Sequence, residues 1–521
     1  MPAPLDHHFT RRHAGIVVPV FSLRSATDWG VGEIPDVAGL CRWLAAAGQG
    51  SLHTLPLLER GVAERSPYGG LSAFAIDPVY VGLDAVGDFG AAGGRAALSP
   101  ADRDAIARLR ADPAIDYDEV RALKRRALEM GFAAFARRGD TAALASFREE
   151  EASWLDDYVL YRALREAHGE TCWTAWPEPL RRRDQGALRA AGEQLAGRMH
   201  FHAWVQWVAH GQWREARRAA NALGVRLVGD APFTVAVDSA DLWSAQDEFD
   251  VQASIGAPPD AFNAHGQDWE LPAFRWDVVR GGGYRWLRER LRYAGRTVDG
   301  LRLDHVVGYF RTHLRPQAGQ PARFDPADEG AQRALGAAAL DAVVANRGAV
   351  DVIAEDLGDV PDYVREAMDA RGLPGYRVLR WEADGPVYRD PLAFPSCSVA
   401  TSGTHDTSSL ATWWEDELDD DARRRVAEVP AFAPLRDASH VVTPAVHEAL
   451  VDGLYAAASD VALLVAQDVH AGKERINTPA TVGTHNWGYR LPWTVEELDG
   501  MAGRERAAWL RAIAMRRGRS G

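Results

Sequence analysis

Eight short apolar runs punctuate the chain, each bounded by glycine, proline or polar residues. They are Gly15–Phe21, Leu52–Leu57, Val225–Asp230, Gly300–Asp304, Val352–Glu355, Tyr376–Trp381, Val399–Asp406 and Val461–Asp468. Runs this short that lack helical periodicity read as buried strands. Apolar residues return at helical spacing in Asp36–Ala47, Tyr284–Ala294, Val360–Arg371 and Val446–Ala458. Strands alternating with helices predict βα units and a parallel sheet, and eight of them predict an α/β fold of the (β/α)8 barrel type. Pro19 and Pro56 fall inside two runs, which suits strand ends or bulges. The link from Trp381 to Cys397 shows no helical pattern.

Two connections are too long for plain βα loops. Residues 59–223 carry strong helical stretches, Asp118–Ala136 and Ser153–His168 among them, and predict a mostly helical insertion between strands 2 and 3. Phe201–Leu223 returns the chain to the barrel as an amphipathic helix, with Trp204 and Trp207 packed at helical spacing. Residues 231–299 are rich in Pro, Gly, Asp and Trp and predict a loop-rich insertion over the barrel mouth. With no internal repeat, residues 1–521 read as one catalytic domain bearing these two insertions.

A formal net charge of −14 argues against nucleic acid or an anionic membrane as partner. Cys41, Cys172 and Cys397 are odd in number and widely spaced, the pattern of reduced thiols in a cytoplasm. Neither an apolar leader nor a bilayer-length run is visible. His200 and His202 form a possible metal pair but lack a third ligand at suggestive spacing, and no phosphate loop or EF-hand is present. The sequence therefore predicts no metal and no organic cofactor.

Three of the runs end on carboxylates: Asp304, Glu355 and Asp406. Carboxylates are seldom buried without a partner, and the C-terminal strand ends of a parallel barrel form its active face. Arg302 lies two residues before Asp304, on the same side of a strand, where a guanidinium can hold the carboxylate ionised. A structural Arg–Asp pair would look the same. Glu355 precedes Asp356, and adjacent carboxylates raise one another's pKa, as a general acid requires; a solvated turn is the plainer alternative. His405 beside Asp406 can bind sugar hydroxyls, or Asp406 can merely cap a helix. Together, three acids suit an oxocarbenium-like centre with a nucleophile, an acid/base and a further negative charge.

The ordered segments LRLDH, AEDLG and SGTHD, at Asp304, Glu355 and Asp406, resemble the signature of the α-amylase superfamily. Ser66-Pro67-Tyr68, Phe201–Trp207 with Gln212-Trp213, Gly229-Asp230-Ala231-Pro232 and Asp238–Trp243 narrow the resemblance to the 4-α-glucanotransferases of glycoside hydrolase family 77. Gly256–Asp260, Gly266-Gln267-Asp268-Trp269, Arg475-x-Asn477-x-Pro479 and Asn486-Trp487 support it. It runs from about Gly15 to Leu491. Some segments depart from the family pattern. Glu270-Leu271 stands where many members have Gly-Asn, VLRW (378–381) replaces VLQF, Asn477-Thr478-Pro479-Ala480 replaces Asn-x-Pro-Gly, and Thr407-Ser408 replaces the Asn-Asp of some members.

The resemblance implies a barrel without a C-terminal β-domain. It implies Asp304 as nucleophile, Glu355 as acid/base and Asp406 as the third acid. Arg302 and His405 fall on supporting positions, and Tyr68, Asp230, Asp260, Gln267, Trp269 and Asn486 on substrate-binding or lid positions. The implied partners are maltooligosaccharides and α-1,4-glucans. The alternatives are a retaining α-1,4-glucan hydrolase of the same superfamily, a non-catalytic glucan-binding barrel and a metal-dependent barrel hydrolase. The presence of all three acids disfavours the second, and the lack of clustered histidines disfavours the third.

Overall fold

The computed structural model describes residues 12–139, 141–258, 266–316, 321–479 and 481–520. Eight parallel strands form its centre: β1 His13–Val17, β2 Ser51–His53, β3 Arg226–Ala231, β4 Gly300–Leu303, β5 Asp351–Ala354, β6 Gly375–Val378, β7 Ser398–Thr401 and β8 Val461–Val465. They are hydrogen-bonded in the order β6-β7-β8-β1-β2-β3-β4-β5. The two edges meet where the Ala354 amide donates to the Pro374 carbonyl at 3.0 Å, bringing the sheet round into a nearly closed barrel. Pro19 and Pro56 lie beyond the ends of β1 and β2, where their missing amides cost no ladder bond.

Alternation along each strand divides the apolar residues between two cores. Val461 and Leu463 of β8 join Val228, Ile353, Tyr376 and Val399 in the barrel interior. Ala462 and Leu464 face the surrounding helices. That period of two is why these runs are apolar throughout: both faces are buried.

Between β2 and β3 the chain is mostly helical, including α1 Tyr117–Arg138, α2 Ala152–Ala167 and α3 Ala196–Ala222. On α3 the tryptophans pack and the glutamines hold. Trp204 is buried, while Gln206 exchanges two hydrogen bonds of 2.9 Å with the backbone of Ile76 and Gln212 does the same with Gly82 at 2.9 and 2.8 Å. These amides fasten the segment that follows Tyr68.

The 231–299 segment differs from its expected loop character. Phe249–Ala257 and Gln267–Phe274 form an antiparallel pair, extended by Thr312–Pro316 and Arg323–Asp325 into a four-stranded sheet. Ala253 and Ile255 are buried, with Ser254 half-buried between them and Gln252 exposed beside them. This two-residue alternation was obscured by the glycines and prolines around it. Pairing jumps from Ile255–Leu271 to Gly256–Asp268, so Trp269 and Glu270 form a bulge. Glu270 sits there at φ +56°, a left-handed conformation that favours glycine.

Among the described residues no strand follows β8. The chain ends in a helix, Met501–Arg516, whose Gly503 carbonyl accepts from Trp43 Nε1 at 2.8 Å. No described helix is long and apolar enough to cross a membrane.

The helix after β4, α4 Glu329–Asn346, presses Gly336 against Phe310, which closes the turn that follows Asp304. A Cβ at Gly336 would lie 1.9 Å from the Phe310 ring. Gly336→Ala is therefore expected to destabilise the protein by about 1–3 kcal/mol through overpacking, despite alanine's better helix propensity. Denaturant unfolding measures this.

Candidate active site

Strand register brings the acids together. Leu303 pairs with Ala354, so Asp304 and Glu355 follow side by side at the exits of β4 and β5. Arg302 pairs with Asp230 of β3. Arg302 Nη1 contacts both Asp230 oxygens at 2.8 and 2.9 Å and Asp304 Oδ1 at 2.9 Å, and its Nη2 lies 3.8 Å from Glu355 Oε2. One buried guanidinium thus serves three carboxyl groups.

Glu355 is fixed by the backbone on both sides. His305 N donates to its Oε2 at 2.7 Å and Leu357 N to its Oε1 at 2.8 Å. His305 reaches that position by taking φ +51°. Burial pushes the Glu355 carboxyl up to about 7; Arg302 opposes the shift and Asp304 adds to it. Burial likewise raises Asp230, and it lowers His305 to about 4, leaving that imidazole neutral.

The sequence reading gave Asp356 the part of raising Glu355. The structure corrects this. Neighbouring strand residues point to opposite sides, and Asp356 is turned away to accept from Tyr376 N at 2.7 Å, Arg365 Nε at 3.0 Å and Arg377 Nη1 at 3.1 Å. The carboxylate acting on Glu355 is Asp304.

Tyr68 connects the acids of β3 and β7. Its hydroxyl donates to Asp230 Oδ2 at 2.7 Å and lies 3.4 Å from His405 Nδ1. Its ring packs on His405 and on Trp487, with centroids 5.2 and 6.1 Å away. His405 Nε2 is 3.4 Å from Asp406 Oδ2, and Asn477 Nδ2 donates to Asp406 Oδ1 at 2.6 Å. Arg475 Nη2 holds the Asp406 carbonyl at 2.7 Å. A continuous polar chain therefore runs from Glu355 through Arg302, Asp230, Tyr68 and His405 to Asp406.

The remaining sequence candidates divide. Trp269 meets His305 edge-to-face with ring centroids 4.8 Å apart, which puts the accessory sheet at the exit of β4. Gln267 accepts from Trp269 Nε1 at 3.1 Å and so steadies that ring. Asp260 lies outside the described residues. Asn486, expected to bind substrate, is buried, and its amide is spent on Thr478 N at 2.9 Å and on Thr481 O at 2.9 Å. It braces the loop beside Asn477, with no donor left for a ligand. Asn477, Trp487 and Tyr376, which lies 5.9 Å from the Arg302 guanidinium, were not singled out. The RxNxP and NWxxR matches were the available signal for the first two. His200 and His202, the possible metal pair, are otherwise engaged: His202 Nε2 lies 3.0 Å from Glu166 and His200 packs at a tilt on Phe132, ring centroids 5.4 Å apart. Among the described residues no group of three or more His, Cys, Asp or Glu could hold a metal ion.

A parallel barrel whose C-terminal face carries a charge-clamped acid pair and a third carboxylate has the architecture of the α-glucan-processing barrels. The chain belongs to the 4-alpha-glucanotransferase family, whose model matches residues 18–496. It is 33% identical over 512 residues to the 4-alpha-glucanotransferase of Thermus thermophilus, across 93% of this chain and 95% of that one. It is 28% identical over 500 residues to that of Chlamydia muridarum, across 93% and 92%. The amylomaltase of Streptococcus agalactiae, solved in complex with acarbose, shares the fold with a TM-score of 0.83 at 24% identity, over 98% of this chain and 100% of that one.

If Asp304 raises Glu355 by charge, Asp304→Asn should let Glu355 ionise at lower pH, because the neighbouring negative charge is gone. Carboxyl titration of the variant by carbon-13 NMR checks this. An unchanged or higher value would contradict the assignment.

Proposed function

We propose that the protein transfers segments of α-1,4-glucan to the 4-hydroxyl of an acceptor glucan or of glucose by a retaining double displacement. Asp304 attacks the anomeric carbon as Glu355 protonates the departing glycosidic oxygen, giving a covalent glucosyl-enzyme. The acceptor hydroxyl then yields its proton to Glu355 and displaces Asp304. Asp406 accepts hydrogen bonds from sugar hydroxyls, Arg302 aims Asp304 through a 2.9 Å contact, and Tyr68, Asp230 and His405 hold these parts in register.

The carrying observation is the side-by-side placement of Asp304 and a buried Glu355 on neighbouring strands about Arg302, where burial raises Glu355 and Asp304 adds to the shift. While Asp304 is a free carboxylate, Glu355 holds its proton near neutral pH and serves as acid. Once Asp304 is esterified its charge vanishes, Glu355 becomes more acidic, and the same group serves as base. Side-by-side placement on neighbouring strands, which run about 4.8 Å apart, suits the roughly 5–5.5 Å separation of a retaining pair.

Water and sugar compete for the same ester, so transfer requires acceptor subsites and restricted water. The reading assigns that part to the insertions at 59–223 and 231–299, carried by one catalytic domain, with Tyr68, Gln267 and Trp269 at the mouth and Asp260 among the acceptor contacts. The chemistry calls on no metal or organic cofactor. Transfer is favoured over hydrolysis by the relatives named 4-alpha-glucanotransferase.

Maltotriose decides between transfer and hydrolysis. Transfer yields glucose and longer oligosaccharides with almost no rise in total reducing ends; a rise matching the bonds cleaved would establish a hydrolase. Asp304→Asn should lower turnover by at least about 10³-fold with folding intact. Near wild-type turnover would dismiss Asp304 as nucleophile.

For the free enzyme, kcat/KM should fall as pH rises through about 7, because the acid form of Glu355 is lost. A profile flat to pH 9 would contradict its role as the acid.

A further inference from the structure

Two departures from the family pattern touch each other. Arg380, the arginine of VLRW just beyond β6, donates from Nη1 to Ser408 Oγ at 2.6 Å and from Nη2 to the Ser408 carbonyl at 2.7 Å. Ser408 belongs to the second departure and lies two residues after Asp406. The Arg380 side chain is 7% exposed; it pairs with Glu417, 3.4 Å away and exposed, and the carboxyl group of Asp468 also acts on it by charge. Arg380 Nε has no hydrogen-bond partner. Burying a cation is costly, and its two short bonds converge on a single residue. The guanidinium itself lies over Trp413, its central carbon 5.7 Å from the ring centre.

The loop from β7 to the helical turn at Leu410 is tied at few points. Asn477 and Arg475 hold Asp406 itself. Asp468 at the exit of β8 accepts from Leu410 N at 2.6 Å. Between those ties, Arg380 grips both the side chain and the backbone of Ser408. Without it, Ser408 would lose its tether to the exit of β6, leaving Thr407 bonded to Thr404 within the loop, and Asp406, two residues before Ser408, would be held less firmly.

We infer that Arg380 is a positioning residue for Asp406, acting through Ser408, and that it sets how tightly the protein grips the sugar that Asp406 binds. The inference rests on the reading of Asp406 as a sugar-binding acid.

The test uses the full chain made inactive by Asp304→Asn, with maltotetraose as probe and calorimetric affinity as readout. Arg380→Met keeps an unbranched apolar side chain and removes both donors to Ser408. It should weaken binding roughly tenfold, in line with losing one or two charge-assisted hydrogen bonds. Arg380→Lys should not restore affinity, because an ammonium cannot reproduce the fork. Once Asp406→Asn is present, Arg380→Met should add almost nothing. An equal further loss in that background would mean a general structural role and overturn the inference. So would unchanged affinity in Arg380→Met. If Asp406→Asn alone leaves affinity intact, the reading of Asp406 falls and the inference falls with it; a loss in Asp406→Asn but none in Arg380→Met removes the inference alone. Ser408→Ala removes only the hydroxyl contact and serves should Arg380→Met not fold. Its expected effect is about a threefold loss, from one hydrogen bond, and no loss would overturn the inference.

Discussion

One buried cation governs the charge balance at the barrel mouth. Arg302 contacts Asp230 and Asp304 directly and lies 3.8 Å from Glu355, so no member of the group can change its charge unnoticed by the others. Burial raises both Asp230 and Glu355, the latter to about 7; Arg302 opposes both shifts and Asp304 adds to them. The division of labour between two chemically similar acids follows from burial and from distance to the guanidinium: Glu355 is the more buried and the farther, while its backbone amides aim it and work against the shift.

The scaffold exists to keep those distances. The β3–β4–β5 register sets Asp230, Arg302, Asp304 and Glu355 beside one another. Everything else that reaches the mouth comes from outside those strands. Tyr68 rides on a segment clamped by two glutamines of α3, Trp269 on a bulge of the accessory sheet, and Asn477 on a loop braced by Asn486. Rigid strands hold the bond-making groups, and longer excursions hold those that meet the sugar.

The strands and the three acids were legible in the sequence because burial on both faces leaves unbroken apolar runs, and a charge at the end of such a run stands out. The accessory sheet was not: its strands alternate, but Gly256, Pro258, Gly266 and Pro272 interrupt the pattern. Side-chain direction was legible only by strand parity. Parity put Arg302 with Asp304 correctly. Applied to Glu355 and Asp356, it would have separated them. Asn486 was placed by resemblance, and resemblance cannot tell a residue that meets ligand from one that braces a loop.

Asp356 has one more consequence. Between β5 and β6 it does what backbone carbonyls do elsewhere in the barrel: its Oδ1 accepts the Tyr376 amide, and its other oxygen gathers Arg365 and Arg377. The strand opposite must come close, and a Cβ at Gly375 would lie 2.5 Å from that same Oδ1. The seam is a clasp with a side chain on one edge and a missing side chain on the other. Neither half can be changed without disturbing the other. Asparagine in place of Asp356 would turn an amide towards two guanidinium groups, and any larger residue at Gly375 would prise the clasp open beside the acid it adjoins. Barrel closure and the setting of Glu355 thus rest on one contact between two positions apart in sequence.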